Sequence, residues 1–158
     1  MVSARHPRWT HALFTDADLD AIAAAVTAAE EHTSAELRVH LERQVPAGAG
    51  GAPGDALARA RAVFLALGID RTAERSGVLV YVAVDDHQLA VVGDEGVHAR
   101  VGPRFWEHVR DTMVDRLRSG ASRDAVIAAV ADLGTVLNRF FPRRPGDVDE
   151  LSDRVSLG

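Results

Sequence analysis

The chain has 158 residues, 47% of them hydrophobic and 26% charged, with a formal charge of -5, a pI near 5.8 and no cysteine. A chain of this length buries roughly two-thirds of its unfolded surface in one core, so a single domain needing no disulfide or metal staple is expected. The acidic balance offers no general attraction to phosphate backbones, which argues against a nucleic-acid partner, and the lack of cysteine excludes disulfides, thiolate nucleophiles and cysteine-based metal sites.

The basic stretch over residues 1–11 is followed by no apolar core of signal-peptide length. The longest apolar run, residues 77–84, falls far short of the ~20 residues that cross a bilayer. No membrane insertion and a cytoplasmic location are therefore expected. Residues 1–13 read as an N-terminal extension, 14–142 as the domain and 143–158 as an extended tail, frayed or laid across the surface.

Thr15 is placed to cap a helix over 16–31, with Asp18 at the third helical position and Leu19, Ile22, Ala23, Val26 and Ala29 forming one apolar stripe. Residues 36–42 alternate: Leu37, Val39 and Leu41 are apolar, while Glu36, Arg38, His40 and Glu42 are polar. That is the period of a strand with one wetter face, at an edge or half covered. The glycines and prolines of 46–54 predict a loop, and the lysine and Ser/Thr of a phosphate-binding loop are missing from it. A second helix is predicted over 55–67, with Leu57, Val63, Phe64 and Leu67 inward and Gly68 ending it.

Residues 78–84 are apolar at every position, as in a strand covered on both faces; Asp85, Asp86 and His87 then turn the chain into a strand over 88–92. A strand, helix, strand crossover makes the first two strands parallel, and the hairpin makes the third antiparallel, so the sheet is mixed. After Gly93-Asp94-Glu95-Gly96 a short helical turn runs to Arg100, and Pro103 opens a helix carrying Phe105, Val109, Met113 and Leu117 as far as Gly120. Ser122 reads as the cap of a last helix whose inner face is Val126, Ile127, Val130, Leu133, Leu137 and Phe140, ended by Pro142. The fold class is thus α/β, a mixed three- to four-stranded sheet with helices on both faces.

In order and spacing, residues 33–39 (Thr-Ser-Ala-Glu-Leu-Arg-Val), 74–81 (Glu-Arg-Ser-Gly-Val-Leu-Val-Tyr), Asp86-His87-Gln88, Gly93-Asp94-Glu95-Gly96, Phe105-Trp106 and the acidic tail at 147–151 resemble the TPM domain in its short soluble form. His87 stands where the family turn carries Arg, and Asp149 and Ser152 stand where its tail has Asn and Pro. The resemblance implies a fourth strand, short or hidden. It also implies a functionally mixed family, with weak acid phosphatases, members tied to photosystem repair or membrane partners, and members that bind calcium or other divalent ions.

Parallel first and second strands would bring Glu42 to the same carboxyl end of the sheet as Asp85 and Asp86, where crevices of open α/β sheets form. Three carboxylates there suit calcium or another hard divalent cation, although Asp-Asp is also ordinary turn chemistry. At the other end Arg75 faces Glu36 or Asp94, a pairing that fixes a loop. None of the seven histidines has metal-protease spacing; His40 and His87 read as surface residues, the alternative being that they approach the acidic pair as ligands of a transition metal. No nucleophile elbow is present. The reading is a module that binds a divalent cation through Asp85, Asp86 and Glu42 and docks on a protein partner; the alternative is a metal-dependent phosphomonoesterase.

Overall fold

Thr15 and Asp18 close a reciprocal capping box at the start of the first helix: the Thr15 hydroxyl accepts the Asp18 N–H at 3.0 Å, and the Asp18 carboxylate accepts the Thr15 N–H at 2.9 Å. The computed structural model describes residues 6–48, 54–143 and 155–158. Within them the chain forms α1 (Asp16–Glu30), β1 (Glu36–Glu42), α2 (Ala56–Ala66), β2 (Gly77–Ala83), β3 (Gln88–Gly93), α3 (Glu95–Val101), α4 (Pro103–Arg118), α5 (Ser122–Phe140) and β4 (Ser156–Leu157). Residues 49–53 of the Gly/Pro loop and 144–154 of the tail lie outside the described residues.

The sheet order is β3-β2-β1-β4, with β1 parallel to β2 and β4, and β2 antiparallel to β3. The crossover through α2 and the hairpin thus give the expected mixed sheet. The fourth strand is two residues of the tail, His40 and Leu41 pairing with Ser156 and Leu157. On one face Leu37, Val39, Leu41, Val78, Val80 and Val82 pack with α1, α4 and α5; on the other Leu79, Tyr81, Ala83 and Ala90 pack with Ala60, Val63 and Phe64 of α2. Every residue of β2 is buried, as its unbroken apolar run requires.

Three expectations are corrected. β1 is an inner strand and its polar face is not wet: Glu36, His40 and Glu42 are 3%, 5% and 5% exposed. Leu57 sits on the outer side of α2, 41% exposed. Ser122 is the first helical residue of α5, one place beyond the cap position held by Ala121. The fold also starts earlier than residue 14, because a 3-10 turn over Arg8–Ala12 buries Thr10 completely and packs Trp9 on the core.

Candidate functional site

The alternation that turns Leu37, Val39 and Leu41 into one core sends Arg38, His40 and Glu42 to the α2 side of the sheet. Glu42 is the hub of the polar cluster formed there. Its carboxylate accepts from Arg59 of α2, with Nε 2.9 and 3.0 Å from the two oxygens and an amino group completing the fork. It also accepts the Tyr81 hydroxyl at 2.7 Å, and Tyr81 is wholly buried. His40 stacks parallel to the Tyr81 ring, with centroids 6.1 Å apart, and its Nδ1 lies 2.9 Å from the Ser156 hydroxyl. Beside this group an added Cβ on Gly158 would lie 2.5 Å from the Glu42 side chain and 2.8 Å from His40 Nε2. The cluster fastens β4 to the sheet by a contact only glycine permits.

Ser156, His40 and Glu42 stand in the order of a nucleophile, a base and an acid, but the geometry is that of a latch. His40 Nε2 is 3.7 Å from Glu42 Oε1, beyond hydrogen-bond reach, and that carboxylate is already held by Arg59 and Tyr81. Sequence reasoning missed Arg59, Tyr81 and Ser156, and misplaced His40. The available signal was Tyr81, the only tyrosine in the chain, set in a run of aliphatic residues.

Burial holds the His40 pKa below its ordinary 6.5, outweighing the attraction of Glu42, while the nearby Arg59 and Arg38 cations act in the same direction as burial. For Glu42 burial pushes upward, but the bonds from Arg59 and Tyr81 prevail and leave it below 4.5. Burial and the Glu42 carboxylate both push the Tyr81 phenol up. Below pH 6.5 the unfolded chain therefore takes up the His40 proton before the folded chain does, and stability declines as pH falls through that value. The loss levels off below the folded-state pKa of His40, and a second loss follows as pH falls below 4.5 and through the depressed pKa of Glu42. Urea midpoints of the wild type should drop between pH 7 and 5.5, and His40→Gln should flatten that limb.

The predicted carboxylates lie at the carboxyl end of β1 and β2. The Val84 and Asp85 N–H groups, each 2.8 Å from the carbonyls of Glu42 and Arg43, carry the parallel ladder past both strand ends. Asp85 accepts from Arg43 Nε at 3.0 Å, and Asp86 accepts the Val45 N–H at 2.7 Å. Both aspartates are exposed, whereas Glu42 is buried in its own cluster. Among the described residues no group of three His, Asp or Glu side chains is arranged to hold a metal ion. His87 is exposed in the turn, with φ 51°. At the other end of the sheet Arg75, also left-handed at φ 53°, puts its Nε 3.1 and 3.2 Å from the oxygens of the buried Asp94, which in turn accepts the Glu95 N–H at the start of α3. Asp94 is Arg75's partner there, and the pair fixes a loop.

A mixed four-stranded sheet, helices on both faces and a carboxyl end carrying an acidic hairpin define an α/β domain. The TPM-domain family model matches residues 10–136, and the chain belongs to the TPM-domain family. It is similar to the BA42 protein of the psychrophilic bacterium Bizionia argentinensis, solved by NMR, at 33% identity and a TM-score of 0.80 over 92% of this chain and 95% of that one. The N-terminal domain of a P. gingivalis protein, also solved by NMR, shares the fold at 15% identity and a TM-score of 0.64, over 80% and 78% of the two chains. No curated protein matches the chain. Among the described residues no helix is long and apolar enough to cross a membrane.

Proposed function

We propose that this TPM domain is a non-catalytic interaction module that takes calcium or another divalent cation at the Asp85–Asp86 turn. The observation that carries the reading is the state of the three predicted carboxylates. Asp85 and Asp86 are exposed, and each commits one carboxylate oxygen, Oδ2, to its protein partner. Oxygen-rich, solvated turns of this kind suit hard cations, which retain water as further ligands. Glu42 is engaged by Arg59 and Tyr81, so it joins the ion only by releasing Arg59.

A phosphomonoesterase needs a nucleophile or a two-metal cluster with cations aimed at the phosphoryl oxygens. Among the described residues the cation paired with the turn is Arg43, which is spent on Asp85. The two readings separate in one set of measurements. Calcium at ten times its Kd should stabilise the fold by about 1.4 kcal/mol, the value of RT ln 11. Asp86→Asn, which keeps an oxygen for the Val45 N–H, should abolish that gain, and neither protein should hydrolyse p-nitrophenyl phosphate. Calcium-dependent turnover lost in Asp86→Asn would instead establish the phosphatase.

A further inference from the structure

Among the described residues two large hydrophobic side chains are left exposed, Leu57 at 41% and Leu65 at 61%, and both belong to α2. Arg59 of the same helix turns to Glu42 on β1. At about 100° per residue, Leu57 and Leu65 lie roughly 160° and 240° round from Arg59, on the flank toward the opposite edge of the sheet. That edge is β3, and a cavity of about 830 Å³ runs along it between the first turn of α2 and the outer side of α4. The hairpin fixes what the edge presents. Asp94 donates its N–H to the Gly77 carbonyl at 2.9 Å, one step beyond Val78↔Gly93 in the register. Alternation then makes Leu79/Val92 and Tyr81/Ala90 the bonded pairs, and Leu89 and Val91 direct their N–H and C=O groups away from β2, into the cavity.

The charges on the cavity wall carry no net sign, with Asp55 and Glu107 against Arg110 and Arg118. Their arrangement is more telling than their sum. Asp55 caps α2 by accepting the Leu57 and Ala58 N–H groups, and Arg110 lies 3.9 Å from Asp111. Glu107 and Arg118 have no opposite charge within 4 Å among the described residues. They stand three helical turns apart, so they share one face of α4 at a separation of about 17 Å.

We propose that a second copy of this chain occupies the edge, the two β3 strands pairing antiparallel about a two-fold axis at Ala90. In that register Leu89 and Val91 of one copy exchange hydrogen bonds with Val91 and Leu89 of the other, four bonds in all, and the edge is closed. The axis stands perpendicular to the sheet, so α2 lies beside α2 and α4 beside α4, each pair antiparallel. Leu57 at the hairpin end of one α2 then turns toward Leu65 of the other, which covers both leucines. Glu107 of one α4 meets Arg118 of the other, twice. A wall with opposite signs at its two ends is complementary to itself under a two-fold, whereas a segment of uniform charge gains at one end what it loses at the other. Asp85 and Asp86 fall beyond the paired stretch, engaged by Arg43 and the Val45 N–H. The patch, about 20 Å along the strand and about 25 Å through the sheet and its two helices, covers about 1,000 Å² over two copies, the size at which an interface becomes specific.

The inference rests on the interaction-module reading and deepens it by naming the partner, while the calcium site stands separately. The test is sedimentation of the full-length protein, without calcium, from about 1 to about 500 µM, the span over which a small interface forms. Monomer should pass to dimer, and hydrogen exchange at the Leu89 and Val91 amides should slow in step. Leu57→Glu combined with Leu65→Glu should weaken the dimer at least about tenfold, and because both side chains are exposed in the single chain the variant stays folded. Arg118→Glu should weaken it about tenfold by turning two attractions into repulsions, and adding Glu107→Arg should bring association back to within about threefold of wild type. That rescue reports a contact between copies, since the two residues of one chain are too far apart to touch. A protein that stays monomeric throughout overturns the proposal and leaves the edge to a different protein. Dimers with unprotected amides, or an Arg118→Glu defect that Glu107→Arg does not repair, overturn it by placing the contact elsewhere. Amides already protected in the monomer overturn it as well, because the chain then covers its own edge.

Discussion

Glu42→Ala should lower stability by about 3 kcal/mol at neutral pH, read from urea denaturation, in the range found when one partner of a buried pair is removed. The substitution strands the Tyr81 hydroxyl, whose residue is wholly buried and whose acceptor is Glu42. Arg59 is 38% exposed and can turn to water, which keeps the loss below that of a fully enclosed pair. The contact between Gly158 and the Glu42 side chain also goes, so β4 should detach first. Glu42→Gln keeps an oxygen for Tyr81 but puts an amide against Arg59, and should cost about half as much. A loss under about 0.5 kcal/mol for Glu42→Ala, the size of an ordinary surface substitution, would mean that the cluster is not a structural hub.

Gly96→Ala should destabilise by about 2 kcal/mol, although replacing glycine by alanine within a helix ordinarily gains up to about 1 kcal/mol. The new Cβ would lie 2.3 Å from the Glu74 carbonyl oxygen and 2.6 Å from that of Arg75. Both are backbone atoms, and Arg75 is held by its bonds to Asp94 and by the Gly96 N–H, which donates to its carbonyl at 2.9 Å. Relief requires moving the loop before β2 away from α3, and with it the left-handed Arg75. Thermal unfolding decides the sign: a raised midpoint would show that the loop yields freely.

The hydrophobic period carried most of the architecture. The stripe of α1, the unbroken run of β2 and the Asp85–Asp86 hairpin were legible because each is local, and parallel pairing of β1 with β2 followed from the crossover. The fourth strand was not, since Ser156 and Leu157 are too few to show a period. The polar face of β1 misled for a different reason. Alternation reports that Glu36, Arg38, His40 and Glu42 share a side, but not that Arg59, Tyr81 and Ser156 arrive from three other elements to bury it. A buried carboxylate and a solvated one look alike in a sequence, and their partners tell them apart. That is why Glu42 was grouped with Asp85 and Asp86, and why it proves to be tied to α2 and β2 while they face solvent.

The divalent-cation site proposed above lies at the turn between β2 and β3. Its most direct test is a calcium titration of the ¹⁵N-labelled protein, followed at the backbone amides of Asp85, Asp86 and His87. Saturable shifts are expected there, absent from Asp86→Asn, with Arg59 and Tyr81 unmoved. Resonances at the turn that stay still while calcium reaches millimolar concentrations, or that shift equally in Asp86→Asn, would contradict it.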